Sequence, residues 1–526
     1  MSSKTTELFH DWKYPAVIGL MLFGLVFSKF ILSISQFFLL FAVLSDKASR
    51  SRLVAAFRSP VVLAIISIYL LHLAGLLWTS DMKYGMKDIQ NKLPMLALPV
   101  LFFAAGPMKK NRAINLLLFF AANVLLLSIL SLINYYVSPA APERIAIGQS
   151  HIRFSLLICL SIIILIHFSD LPAAWYKFAV VPAIIILLYF LFILESFTGY
   201  VVMISLLFFI PFLYWSFLRK RRIKYVLLAA LLLTTILGIA GFLDVKNRCF
   251  PEPYIKDFSE LPKQTINGNY YIQDTVNLLT ENGHYMYVNL NVPEMIPVWN
   301  NRSQSKIIES DSMAAGKINI LTRYLTSKGL PKDSAGVMQL SDTDIRNIEN
   351  GYSNCLLPEF DPYRERMYRF LWELNYYKLT GDPSGHSLTQ RFEYWKTALS
   401  LISQKPVFGF GTGDITNAFQ HEYVRSNSII KKEYRLRSHN QYLSIAVALG
   451  IAGLIVFIFS LAAPFLFHKI PDYKLYLGFI FIFLLSLLNE DTLETQVGVT
   501  FYALFNSFIL FIIPQKNTSE NEKERA

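Results

Sequence analysis

The residues best suited to chemistry lie between Arg391 and Gly453. Arg391 opens the run Arg391-Phe-Glu-Tyr-Trp395, and Pro406-Val-Phe-Gly-Phe-Gly-Thr-Gly413 follows. His439-Asn440 then precedes nine residues and Gly450, with two residues between Gly450 and Gly453. A hydrophilic stretch ends here and a long apolar run begins, which places Arg391 and His439 where water meets a bilayer. A guanidinium brings fixed positive charge and forked donors to a phosphate. A neutral imidazole, with a pKa near ~6.5, accepts a hydroxyl proton. Together they point to chemistry on a lipid-linked phosphate, in one cavity opening towards the outer leaflet.

Alone, His439 reads as a polar residue at a helix mouth; the cations Arg435 and Arg437 nearby favour a reacting group. Asn440 and Trp395 are its supporting neighbours. Arg153, beside His151 at the start of another apolar run, either anchors that run or adds charge to the same pocket. Glu490, Asp491 and Glu494 either pair with these cations or orient His439. Lys83, Lys87 and Lys92 are lesser candidates, and His72 reads as a packing residue. Asp342-Thr-Asp344 looks like an acidic metal-binding pair, but Ser341 three residues before Asp344 favours a helix cap. Gly409-Phe-Gly-Thr-Gly413 lacks the strand, the helix and the Lys-Ser/Thr of a phosphate loop. It reads as a tight turn returning the chain to the membrane.

These residues need a scaffold, and composition names its class. The chain has 526 residues, 54% hydrophobic and only 16% charged, with apolar runs of bilayer length recurring along it. Twelve spans are predicted, at about 14–28, 30–45, 60–78, 93–106, 113–136, 152–169, 178–194, 199–217, 225–243, 440–467, 474–488 and 497–514. The fourth, short and carrying Pro94 and Pro99, is expected to be broken or re-entrant. The first reads as a retained helix, with no cleavage site after it.

The net charge of +12 invites a nucleic-acid reading that its distribution removes. Taking the N-terminus as cytoplasmic, the inner loops hold Lys47, Arg50, Arg52 and Arg58; Lys109, Lys110 and Arg112; Lys177; Arg219, Lys220, Arg221, Arg222 and Lys224; and Lys469 and Lys474. Only Asp46, Asp170 and Asp472 oppose them, so the inner loops account for the whole excess. This is the positive-inside pattern of a membrane protein, not a nucleic-acid patch.

The expected architecture is an all-α polytopic membrane protein of about twelve transmembrane helices. A large mixed α/β insertion lies between spans nine and ten. Residues 1–243 hold nine spans, 244–438 the outer domain, 439–514 three spans, and 515–526 a disordered cytoplasmic tail. In the outer domain a β-hairpin is predicted from Asn269–Leu279 and His284–Val292 around Glu281-Asn-Gly283. Helices are predicted at Met313–Leu325, Pro362–Leu379 and about Leu388–Ile402, the last holding Arg391, Tyr394, Trp395 and Ala398 along one side. Cys249 and Cys355 are free to bridge or not. No bound cofactor or metal is indicated.

At these residues the chain resembles the O-antigen ligase and O-antigen polymerase superfamily of bacterial inner-membrane glycosyltransferases. The resemblance rests on His439-Asn440 with its spacing to Gly450 and Gly453, on the Arg391 helix leading into Pro406-Val-Phe-Gly-Phe-Gly, and on the large outer loop. It implies metal-independent, inverting transfer of a glycan from undecaprenyl diphosphate to a lipid A–core or other hydroxyl acceptor. It implies an inner-membrane location, a periplasmic loop, and no nucleic-acid partner. Carried over, Arg391 would hold the diphosphate and His439 would activate the acceptor, with Arg153, Arg435 and Arg437 as further diphosphate candidates. Ligases commonly have an arginine where this chain has Phe197, within Glu195-Ser-Phe-Thr-Gly199. Polymerase and protein O-glycosyltransferase activities share this chemistry. A polysaccharide transporter or flippase is the rival of another class, and it would place polar sites near mid-membrane in paired halves.

Overall fold

The computed structural model describes residues 3–137, 146–169, 171, 174–194, 196–215, 221–255, 257–308 and 310–515. Asp170, Glu195, Arg219, Lys220 and the tail beyond Gln515 lie outside the described residues. The chain divides into two compact units. The first comprises Met1–Lys224, Tyr394–Ser428 and Arg435–Ala526, and the second Tyr225–Glu393 and Ile429–Tyr434.

The protein is mostly helical, and its apolar helices make it a multi-pass membrane protein. Five described helices are long and apolar enough to cross a bilayer: Pro60–Trp78, Lys110–Val137, Phe197–Tyr214, Lys224–Cys249 and Gln441–Phe467. Lys29–Leu44 and Lys47–Ala56 form a pair bent by 106°. Trp12–Phe27, His151–His167, Phe178–Ile193, Tyr473–Asn489 and Gln496–Ile512 are shorter apolar helices. Among the described residues, each predicted span overlaps a helix.

The break predicted at Pro94 and Pro99 does not occur. Met82–Ala105 runs through both prolines as one helix. Packing against Pro60–Ala74, Lys47–Ala56 and Gln496–Ser507 buries both rings and holds a backbone that proline would otherwise kink.

The interruption lies instead in Gln441–Phe467, at Gly450, where φ is 70° and ψ is −174°. Such a break exposes polar backbone groups deep in an apolar helix, and each must find a partner. The Pro406–Gly411 loop supplies them. The Phe410 and Gly411 amides donate to the Val447 and Ala448 carbonyls at 2.9 and 2.8 Å, and the Ile451 amide donates to the Pro406 carbonyl at 2.8 Å. Gly409 (φ 67°) and Gly411 (φ 104°) permit the turn, as the sequence led us to expect. Gly450, which the sequence marks by its spacing after His439, is where the backbone turns.

In the second unit one core gathers Met295, Trp299, Leu321, Tyr324, Val337 and Ile345, and another gathers Val245, Cys249, Leu357, Phe360 and Tyr368. The predicted helices appear as Ala314–Ser327 and Pro362–Thr380. Ser341 and Asp344 form the capping box, which settles the acidic pair as a cap. The hairpin turns where predicted, with Asn282 (φ 49°) and Gly283 (φ 84°) in the left-handed region. Its strands are only Thr280–Glu281 and His284–Tyr285. Met286 and Val288 turn inward while Ile272, Val276 and Leu278 stay exposed, so only one arm of the run buries a face, and the pairing continues beyond the turn as the isolated bridge Ile272–Leu290. Cys249 and Cys355 are both free thiols.

A Cβ at Gly450 would lie 2.0 Å from the Val407 carbonyl oxygen. Gly450→Ala is expected to cost at least about 1–3 kcal/mol from the left-handed backbone alone. Thermal melting in detergent should show a clear drop, whereas Gly316→Ala, whose Cβ meets nothing within 4 Å, should melt like the native chain.

Candidate active site

The site forms within the first unit. It lies at the end of the bundle where His151–His167, Gln441–Phe467 and Gln496–Ser507 begin and Tyr473–Asn489 ends. Asn440 caps the long helix, its side chain accepting from the Leu443 amide at 3.1 Å and donating to the Leu488 carbonyl at 3.1 Å. On the other side of His439, the Ser438 carbonyl accepts from the Trp395 indole at 3.0 Å, and the Ser438 hydroxyl lies 2.8 Å from that of Ser444. With both neighbours fixed, His439 takes φ 47°. A non-glycine residue held there costs roughly 1–3 kcal/mol, which the surrounding bonds must supply.

The His439 ring lies 5.8 Å from that of Tyr394. Its Nδ1 is 3.5 Å from Glu490 Oε2, and Glu490 Oε1 is 3.9 Å from Arg153 Nη2. A carboxylate on the Nδ1 side favours the tautomer protonated there, leaving Nε2 to accept a proton. Arg153 is held by Thr495 (2.9 Å) and Ser150 (3.2 Å).

His439, Glu490, Arg153 and Thr495 line a cavity of about 380 Å³ with Arg435, Arg437, Asp491, Glu494, Thr416 and Gln420. Beneath it lies a buried charge network. Glu494 accepts from Arg437 Nη1 (3.1 Å), Lys92 Nζ (3.2 Å) and Gln441 Nε2 (3.2 Å). Lys92 also donates to Asp88 at 2.5 Å, and Arg437 to the Tyr84 hydroxyl at 3.1 Å. Burial would push the Glu494 carboxyl up, but Lys92 and Arg437 hold it well below the carboxylate range. Burial would lower the Arg437 guanidinium, and Glu494 and Asp491 keep it raised. Burial raises the Asp491 carboxyl, against the pull of Arg437 and a 2.6 Å bond from Ser444.

Of the residues singled out from sequence, Arg153, Arg435, Arg437, His439, Glu490, Asp491 and Glu494 meet on this cavity. Asn440 and Trp395 fix the backbone on either side of His439. Arg391 belongs to the second unit, where its Nη1 donates to the Ser387 carbonyl at 2.6 Å. Lys92 is fully buried in the ion network, and Lys83 and Lys87 are exposed. His72 is buried with Nδ1 2.9 Å from the Ile68 carbonyl, a packing residue as read. Phe197 is the first residue of its helix, after the Ser196 cap. Tyr84, Asp88 and Gln441 were missed. The four-residue spacing of Asp88 and Lys92 was the available signal.

Breaking a buried ion network at one member costs about 3–5 kcal/mol. Lys92→Met should therefore melt well below the native protein in detergent. Asp88→Leu added to it removes the acid that Lys92 balanced and should recover much of the loss; a double variant no better than the single one would contradict the pairing.

Residues 355–458 match the O-antigen ligase family, a segment holding Arg391, the Pro406–Gly413 loop, His439, Gly450 and Gly453. The chain is also 31% identical over 139 residues to an uncharacterized protein of Haemophilus influenzae (strain ATCC 51907 / DSM 11121 / KW20 / Rd), covering 24% of this chain. That alignment spans about a third of the relative's length, 34%. The resemblance read from the sequence therefore has support over residues 355–458, where the chain is similar to the O-antigen ligase family.

Proposed function

We propose that this protein is an envelope glycan ligase, transferring a glycan from undecaprenyl diphosphate to a lipid A–core acceptor with inversion and without a metal. The observation that carries the reading is His439, backed by Glu490, on a cavity that also presents Arg153, Arg435 and Arg437. His439 Nε2 takes the proton of the acceptor hydroxyl. The oxygen attacks the anomeric carbon from the face opposite the phosphate, and the bond to the diphosphate oxygen breaks. Negative charge then grows on the leaving diphosphate, and fixed guanidinium groups stabilise it without reorganising. Arg153 takes the part of the arginine that ligases carry where this chain has Phe197. Arg391 enters on its motif, as the arginine to which the resemblance assigns the diphosphate.

In the same proposal the helices cross the bacterial inner membrane twelve times, both termini are cytoplasmic, and 244–438 faces the periplasm. The basic residues of the alternate loops support that orientation.

Losing a positioned general base costs roughly 10²–10⁴-fold in rate. His439→Ala should reach the membrane and melt much like the native protein, yet lose transfer by that factor in a purified assay with a lipid-diphosphate glycan. Arg153→Ala should mainly raise KM for the donor. Native turnover by His439→Ala would overturn the catalytic assignment. Transfer to a second donor glycan in preference to lipid A–core would move the reading to a polymerase.

A further inference from the structure

A second cavity, about 410 Å³, opens within the first unit on the other side of the helix Ile415–Arg425. Thr416, Phe419 and Gln420 of that helix face the first cavity, whereas Asn417, His421 and Arg425 line the second. These two sets lie on different faces of one short helix, so it forms a shared wall.

The second cavity contains two acids, and both are occupied by the protein itself. Asp414 accepts from the Ser80 amide (2.7 Å), the Ser80 hydroxyl (2.8 Å) and the Asp81 amide (2.8 Å). These bonds hold its carboxyl below the usual range against the opposite pull of burial. Glu422 accepts from Ser400 (2.7 Å), Gln404 (3.0 Å) and both Nε and Nη2 of Arg425 (2.7 and 2.9 Å). With the carboxylates saturated, the cavity presents chiefly donors. Lys405 is exposed, with its ammonium 4.7 Å from the centre of the Phe410 ring. His421 is exposed as well, and Asn417 adds an amide only 3.5 Å from Asp81. Leu401, Phe410 and Ala418 give the same space an apolar side.

Donors, an aromatic wall and an exposed ammonium that shares the field of Asp414, whose oxygens already accept three hydrogen bonds, suit a pyranose carrying an anionic substituent. The ring lies against the apolar side, and a phosphate or carboxylate meets Lys405 and His421. We propose that this cavity is a second saccharide subsite, binding a phosphate- or carboxylate-bearing sugar of the acceptor. The acceptor role rests on the transferase reading above; the binding itself does not.

The test uses the full-length protein in detergent, with titration calorimetry against glucose 6-phosphate, glucose, glycerol 3-phosphate and inorganic phosphate. Glucose 6-phosphate should bind at least about tenfold more tightly than each of the others, a difference of about 1.4 kcal/mol. Lys405→Ala with His421→Ala should remove that preference. Both side chains are exposed, so a melting temperature equal to native is expected. In the transfer assay the same double variant should raise acceptor KM about tenfold and leave kcat and donor KM unchanged. Equal binding of glucose and glucose 6-phosphate would overturn the anionic subsite. Glycerol 3-phosphate or inorganic phosphate matching glucose 6-phosphate would replace the sugar by a lipid headgroup or free phosphate and overturn the saccharide assignment. Binding lost in the variant with acceptor KM unmoved would overturn the acceptor role alone. An active His439→Ala enzyme would remove the catalytic reading without touching the calorimetry.

Discussion

The candidate site depends on one buried carboxylate, Glu494. Buried charge is stable only with partners, and Glu494 has Lys92 on one oxygen and Arg437 on the other. Those partners come from the helix Met82–Ala105 and from the segment just before Gln441–Phe467. Glu494 itself lies between Tyr473–Asn489 and Gln496–Ser507. One ion network therefore ties the ends of three helices to the interior of Met82–Ala105 and sets the position of a cavity arginine. Its neighbour Glu490 then stands behind His439. The acidic loop 490–494 thus has two tasks: the far acid holds the frame, and the near one backs the imidazole.

The second constraint is the interruption at Gly450. Breaking a membrane helix leaves carbonyl and amide groups that lipid cannot satisfy. Here the Pro406–Gly411 loop satisfies them with its own backbone. Thr412 continues the connection, donating to the His72 carbonyl at 2.6 Å. The motif and the spacing from His439 to Gly450 are two halves of one contact. The loop leads directly into the helix Ile415–Arg425 that walls the cavity, so the contact also fixes where that wall stands.

Much of this was legible in the sequence because it follows from periodicity and local chemistry. Among the described residues each apolar stretch overlaps a helix, the cap at Ser341 forms, and the turn at Asn282-Gly283 forms. His439 meets Arg153, Arg435 and Arg437 as its neighbours suggested, although Arg153 is distant in number. What failed to read was tertiary. Pro94 and Pro99 look like helix breakers until three packed neighbours are known. Gly450 gives no sign that its φ is positive without the loop that meets it. Lys92 read as no more than a lesser site candidate because nothing near it in the chain shows Glu494 closing over it. The hairpin strands were overread because alternation alone does not say that one arm, with Met286 and Val288, is buried while Ile272, Val276 and Leu278 of the other stay exposed.

The central claim is that the diphosphate of a lipid-linked donor sits among the cavity arginines, within reach of His439. An electron cryomicroscopy structure of the full-length protein with an unreactive undecaprenyl-diphosphate donor analogue tests it most directly. Diphosphate density in contact with Arg153 or Arg437, and the anomeric carbon on the His439 side, is the predicted result. Diphosphate bound away from that cavity, or at mid-membrane between the helices, would contradict the account.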